Sequence, residues 1–328
     1  MGQNKEHKII LTYTKIMREN ISLVLLITLA AGIGTGLFTS MPGLFIRKFD
    51  LALVVIMIGV MGFTITFKNL TSSTRGVIEL FLGLVLNFLF APFLCWILAL
   101  LLLGKYPEFA TGLILIGAVP SAGMALMWTG LLEADTSLAA LINALTLIIA
   151  PFAIPFLMLF FAGKFVNINV PGMLKNLIYT ILLPVLGSVG IREAVQKKID
   201  VKRYLPLMPA ISATAATLLL FMAINTAIPF IKRNLKLIVP LLTSTVFIFP
   251  VLFLVSFLIC SRFLSKEKNI ALTYTCGMKN LAIALGIAAV NFKEEVMLPV
   301  AASFAFQMLT AVFFYELFSR RLKSDDKT

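Results

Sequence analysis

One lysine sits where a charge is least expected. Lys279 lies deep in an apolar stretch bounded by Lys268 and Lys293, too far from either end for its stem to carry the ammonium comfortably to water. A lysine at the centre of a membrane span costs about 2.5–3.5 kcal/mol even on an insertion scale, so it needs compensation. No Asp or Glu falls near the middle of any apolar stretch: Glu133, Asp135 and Glu316 all lie toward ends. Three readings of Lys279 stay open. The ammonium binds an anionic substrate, it stands in for a bound cation, or it is neutral at rest and titrates with proton coupling.

Other deep polar groups share this setting: Asn280 next to the lysine, Thr275 just before it, Ser121, Asn87, Asn143 and Gln307. Each alone reads as an interhelical hydrogen bond. Together, Lys279, Asn280, Ser121, Thr275, Asn143 and Asn87 form a candidate substrate-binding set.

Catalytic and metal chemistry finds few residues to use. The single histidine, His7, lies in the polar N-terminal tail, which excludes His-based triads and His-ligated metals within the membrane. Cys95, Cys260 and Cys276 are far apart in apolar surroundings with no C-x-x-C spacing, and read as packing thiols. There is no phosphate-binding loop of the G-x-x-x-x-G-K-[ST] type, so ATP-driven pumping is not expected. An intramembrane enzyme would need a histidine, a midspan carboxylate pair, or a serine within reach of Lys279. No cofactor or metal is expected, and the chain is not expected to be an enzyme.

The elements that must position these residues follow from composition. The chain has 328 residues, 60% hydrophobic and only 13% charged, with a mean hydropathy of +1.00. That excludes a soluble globular domain, a disordered chain and a nucleic-acid binder, and leaves room for about ten spans of about 20 residues. Charged residues mark out ten apolar segments: Glu19 to Arg47 (with a turn around Pro42-Gly43), Asp50 to Lys68, Glu79 to Lys105, Glu108 to Glu133, Asp135 to Lys164, Lys175 to Arg192, Arg203 to Lys232, Lys236 to Arg262, Lys268 to Lys293 and Glu295 to Arg320. Lipid-exposed backbone must be satisfied within each segment, so all ten are expected to be helical. The first is expected to be retained as a helix rather than cleaved as a signal peptide.

Eighteen of the 28 Lys and Arg residues fall in the tails and even-numbered loops, nine in the odd-numbered loops, and one is Lys279. The net charge of +13 thus reports topology, with both termini cytoplasmic in a cell-membrane protein. Five segments on each side of a loop at Val170-Pro171-Gly172 imply two halves of opposite orientation. The expected division is a tail at 1–19, a first repeat at 20–163, a second at 164–319 and a tail at 320–328. The fourth segment of each half has an irregular centre, at residues 117–123 (GAVPSAG) and 275–280 (TCGMKN). Paired interruptions at matching places in inverted halves point to a transporter's binding site.

These motifs resemble the bile acid:sodium symporter superfamily, which also contains arsenite permeases of the Acr3 type. The family's ninth-helix motif E-x-G-M-Q-N corresponds to Thr275-Cys276-Gly277-Met278-Lys279-Asn280. Its fourth-helix motif P-G-G-T-A-S-N corresponds to Pro120-Ser121-Ala122-Gly123-Met124-Ala125-Leu126. The resemblance implies a panel domain and a core domain, with broken helices 4 and 9 crossing in the core. The departures fall on the sodium ligands. The family's glutamate is Thr275, its glutamine Lys279, its Ser-Asn pair Ala125-Leu126, its fifth-helix hydroxyls Ala139 and Asn143, and its third-helix glutamine Asn87. Sodium coupling is therefore not expected. The arsenite branch, with a C-I-A-M-V-x-V-W pattern, shares Met124 and Trp128 but has Ser121 in place of the cysteine; arsenite or antimonite efflux is the alternative. The expected function is secondary transport of a small solute, an organic anion, by alternating access, uncoupled or proton-coupled, with the lipid bilayer as the other partner and no nucleic acid.

Overall fold

The computed structural model describes residues 21–63, 76–196, 201, 204–205, 207–233 and 235–325. The N-terminal tail with His7, most of the loop after segment 2, and much of the basic loop before segment 7 lie outside the described residues. Those described form helices and no strand. In chain order they are α1 (Ile21–Phe38), α2 (Met41–Arg47), α3 (Asp50–Gly62), α4 (Val77–Leu102), α5 (Pro107–Ala118), α6 (Met124–Leu131), α7 (Thr136–Ala162), α8 (Val170–Val195), α9 (Leu207–Arg233), α10 (Ile238–Cys260), α11 (Lys266–Gly277), α12 (Leu281–Asn291) and α13 (Met297–Asp325).

Among the described residues, six stretches, in α4, α7, α8, α9, α10 and α13, are long and apolar enough to cross a membrane. Counting the bent pair α1–α2 as one span raises the number to seven. Large apolar side chains such as Leu101, Phe160 and Phe313 are exposed, as lipid contact requires. The chain is a multi-pass helical membrane protein.

Two turns expected from sequence are helical instead. Pro42 and Gly43 open α2, where a proline in the first turn forfeits no hydrogen bond; the chain turns at Thr39-Ser40, bending by 117°. Val170-Pro171-Gly172 is the first turn of α8, capped by Asn169 Oδ1, which accepts from Gly172 N at 3.0 Å. Segment 6 therefore runs well past Lys175 and Arg192, whose long side chains let charges sit within the helix ends.

The sharp corner between α1 and α2 is fastened from α9. Asn225, fully buried, accepts from Gly43 N at 2.9 Å and donates to Thr35 Oγ1 at 2.9 Å and Thr39 O at 3.1 Å. Replacing it with leucine leaves the buried Gly43 N–H without this partner, at a cost of about 1–3 kcal/mol, and removes the bonds to Thr35 Oγ1 and to the exposed Thr39 carbonyl. Asn225→Leu is expected to lower the melting temperature by about 5 °C or more, read by thermal unfolding in detergent.

Packing sorts the helices. α9 lies against α1, α2 and α3, and α8 against α3; α4 packs on α5, α10 on α11 and α13, and α7 on α5 and α11. At one end of the second set, Lys293 donates to Glu108 Oε1 at 2.9 Å. That hydrogen bond holds the Glu108 carboxyl below its ordinary range and Lys293 above its own. The pair's small contribution is lost as pH falls through the Glu108 titration or rises through that of Lys293.

Candidate functional site

Two helix breaks meet, and the cause of the first is written in the sequence. Pro120 has no N–H and pushes its predecessor out of the helical region, so Val119 is extended (φ −72°, ψ 156°) and α5 stops. The second break follows Gly277, beyond which Met278 is extended (φ −99°, ψ 99°). Asn280 restarts the helix, its Oδ1 accepting from Ile283 N at 3.1 Å.

Each break strips backbone groups of helical partners inside an apolar interior, and the two breaks supply one another. Ala122 N donates to Met278 O at 2.8 Å and Asn280 N to Pro120 O at 2.9 Å, making a one-rung antiparallel bridge of Ser121 with Lys279. Side chains brace the bridge. Asn143 Nδ2 donates to Ser121 O at 2.9 Å, Thr146 Oγ1 accepts from Ser121 N at 3.3 Å, and Gln307 Oε1 accepts from Lys279 N at 2.9 Å.

Lys279 is 0% exposed. Its Nζ donates to Asn87 O at 3.0 Å, Asn87 Oδ1 at 3.0 Å and Val119 O at 3.3 Å, which matches the three donors of an ammonium. The Asn87 carbonyl is free because of an irregularity in α4. Residues Leu86–Phe90 form a π-turn, in which Ala91 N donates to Leu86 O; the next residue, Pro92, has no N–H to offer Asn87. The asparagine side chain is fixed by its own Nδ2, which donates to Gly83 O at 2.9 Å.

All three acceptors are neutral. No carboxylate is among the partners of Nζ, which are Asn87 O, Asn87 Oδ1 and Val119 O. The hydrogen bonds are satisfied, and none of the three partners carries a charge.

The remaining residues of the set divide. Ser121 lies opposite Lys279 and is 1% exposed, but its Oγ has no hydrogen-bond partner, so no Ser–Lys dyad forms. Thr275 Oγ1 turns back onto Leu272 O of its own helix at 3.2 Å. Asn280 Nδ2 points across to Met61 Sδ of α3 at 3.6 Å. Thr146 escaped notice in the sequence although it falls three residues after Asn143, on the same helix face. The carbonyls of Val119 and Asn87 could be located only through the proline and π-turn geometry.

The family model described as "Sodium Bile acid symporter family" matches residues 50–234, more than half the chain. The chain belongs to the sodium bile acid symporter family. Among curated proteins, this symporter-family chain is 27% identical over 245 residues to the probable sodium/metabolite cotransporter BASS1, chloroplastic, of Arabidopsis thaliana. That match covers 73% of this chain and 58% of the plant protein, so the chain spans little more than half that relative's length. It is 22% identical over 280 residues to the uncharacterized sodium-dependent transporter YocS of Bacillus subtilis, covering 82% of each. The uncharacterized protein YbaS of the same bacterium is 24% identical over 258 residues, covering 77% of this chain and 83% of that protein. Where the family name speaks of sodium, the two breaks of this member are joined beside a buried lysine.

Proposed function

We propose that this family member is a secondary transporter that moves a small organic anion by alternating access at the meeting of the two broken helices. The observation that carries the reading is the buried Lys279, its Nζ bonded only to neutral oxygens, at the point where both breaks expose backbone to one another. A fixed positive charge in a low-dielectric interior attracts an anion over several ångströms even when its own N–H groups are occupied. Lys279 supplies that field, and Ser121, with its unpartnered hydroxyl, the nearby Asn143 and Asn280, and Asn87 and Thr275 shape the polar surroundings.

On this reading the ten apolar segments form two inverted five-helix repeats, 20–163 and 164–319, with both tails in the cytoplasm at the cell membrane. α1, α2, α3, α8 and α9 form the panel, and the other helices the core. Support for a rocking interface comes from contacts that join the two sets at one end. Arg47 of α2 pairs with Glu294, and Asn176 Nδ2 of α8 donates to Asn291 Oδ1 of α12 at 2.9 Å. Sodium is not the coupling ion, because Ala125, Leu126 and Ala139 offer no side-chain oxygen; transport is uncoupled or proton-coupled.

The test is thermal stabilisation of the purified protein by aliphatic and aromatic mono- and dicarboxylates, and by arsenite, in sodium chloride and in choline chloride. Carboxylates are expected to raise the melting temperature equally in both salts. Stabilisation only in sodium would overturn the coupling assignment. Stabilisation by arsenite alone would replace the organic anion with the thiophilic one, and no response to any anion would end the reading.

A further inference from the structure

We propose that the seam between α4 and α7 binds an anionic phospholipid, with one acyl chain in an apolar groove and the headgroup on Lys164 and Lys105. The groove has a volume of about 760 Å³ and is lined by Phe88 of α4 and by Ala153, Phe156, Leu157, Leu159 and Phe160 of α7. Room for it comes from Ala153, which offers a single methyl group where its neighbours are large. Phe156 and Phe160 are 58% and 80% exposed, so these walls stand clear of the protein's own packing. Ala153, Phe156, Leu157 and Phe160 follow the i, i+3, i+4, i+7 spacing of one helix face, a run of about 10 Å.

The occupant's chemistry follows from the lining and from the mouth. Every lining side chain is apolar, so the groove offers water nothing to bond and is filled by hydrocarbon. Beyond Phe160 the character changes. Lys164 falls four residues on, one turn further along, and Lys105 follows the end of α4. Trp96 and Phe161, with ring centroids 6.0 Å apart, hold the two helices side by side toward that end. Both lysines are exposed, and among the described residues neither pairs with a carboxylate. No Asp or Glu occurs from residue 80 to 107 or from 136 to 192, and Glu108 is engaged by Lys293 at 2.9 Å. An apolar body with a cationic mouth matches an acyl chain joined to a negatively charged headgroup; a zwitterionic lipid fits the groove but gains less at the mouth.

Phe88 ties the groove to the candidate site, since it belongs to the same π-turn as Asn87, whose oxygens receive Lys279 Nζ. A chain seated in the groove therefore lies against the turn that holds the lysine's partner. The inference stands apart from the transport reading: none of the lining residues is in the candidate substrate-binding set, and its test reads lipid binding rather than transport.

The experiment titrates the full-length protein, delipidated in detergent, with phosphatidylglycerol or with phosphatidylcholine of the same acyl chains, and follows the melting temperature. Phosphatidylglycerol is expected to give a saturable rise of about 5 °C, with phosphatidylcholine needing at least about five-fold more lipid for the same effect. Lys164→Gln should weaken phosphatidylglycerol binding about five-fold, and adding Lys105→Gln should erase the preference between the two lipids. Ala153→Phe, which fills the groove, should abolish the rise for both; if it is not recovered folded, Ala153→Leu takes its place with the same expected direction. The proposal is overturned if the two lipids act equally on the wild type, if the double lysine variant keeps the preference, or if the filled groove leaves the titration unchanged. Efficient cross-linking of two copies through Phe156→Cys in bilayer vesicles would also overturn it, by giving the groove to a second copy of the chain.

Discussion

Gly117→Val is expected to unfold the region around the site and lower the melting temperature by about 5–10 °C, with transport lost. A Cβ at position 117 would lie 2.6 Å from Ala91 O and 2.7 Å from Pro92 Cα. Both are backbone atoms, so no side chain can swing aside. α5 must move away from α4, and overpacking of this kind costs about 1–3 kcal/mol or more. The displaced backbone is also that of Ala91-Pro92, the pair whose geometry leaves the Asn87 carbonyl to Lys279. The variant therefore loosens the packing and disturbs the ammonium's partners at once. Gly123→Ala is the control: a Cβ there meets nothing within 4 Å, and its melting temperature should stay within about 1 °C of wild type. Equal melting of the two variants would refute the close-approach argument.

Asn87→Asp is expected to separate the charge of the site from its shape. An aspartate keeps an oxygen at the position from which Asn87 Oδ1 accepts the Lys279 ammonium, and adds a negative charge that neutralises it. The loss of the Nδ2 bond to Gly83 O costs about 1 kcal/mol, so the fold should survive. The field that attracts an anion should not. A unit charge acting at about 8 Å through an effective dielectric of about 20 is worth about 2 kcal/mol, or about thirty-fold in affinity. Carboxylate-induced stabilisation should weaken by roughly that factor. Asn87→Leu makes the converse change, keeping the net charge but removing one of three acceptors, and is expected to lose about 1.5–3 kcal/mol of stability. If Asn87→Asp binds carboxylates as well as wild type, Lys279 does not act through its charge.

Much of this arrangement could be read from residue types. Pro120 announces its break because a proline removes a donor and restrains its predecessor, and Lys279 announces itself by the cost of a charge in an apolar run. The second break was legible only by analogy with the first. Gly277 is common enough in membrane helices for packing alone, and here a Cβ would fall 2.3 Å from Phe253 Cδ2, a reason that lives entirely on α10.

The π-turn at Leu86–Phe90 left no mark in the sequence that could be read in advance, because Pro92 near an asparagine is equally compatible with an ordinary kink. Asn225 was hidden for a similar reason. One amide in an apolar segment reads as interhelical glue until the corner it fastens is known. Pro42-Gly43 and Val170-Pro171-Gly172 misled in the opposite direction, since Pro near Gly signals a turn as readily as a helix start.

The π-turn in α4 also bears on how the chain is made. The oxygens that receive Lys279 come from residues 87 and 119, far upstream of position 279. The lysine itself sits between half-helices of 12 and 11 residues, neither long enough to cross a bilayer alone. Synthesis from the N-terminus therefore makes both acceptor residues long before the lysine emerges.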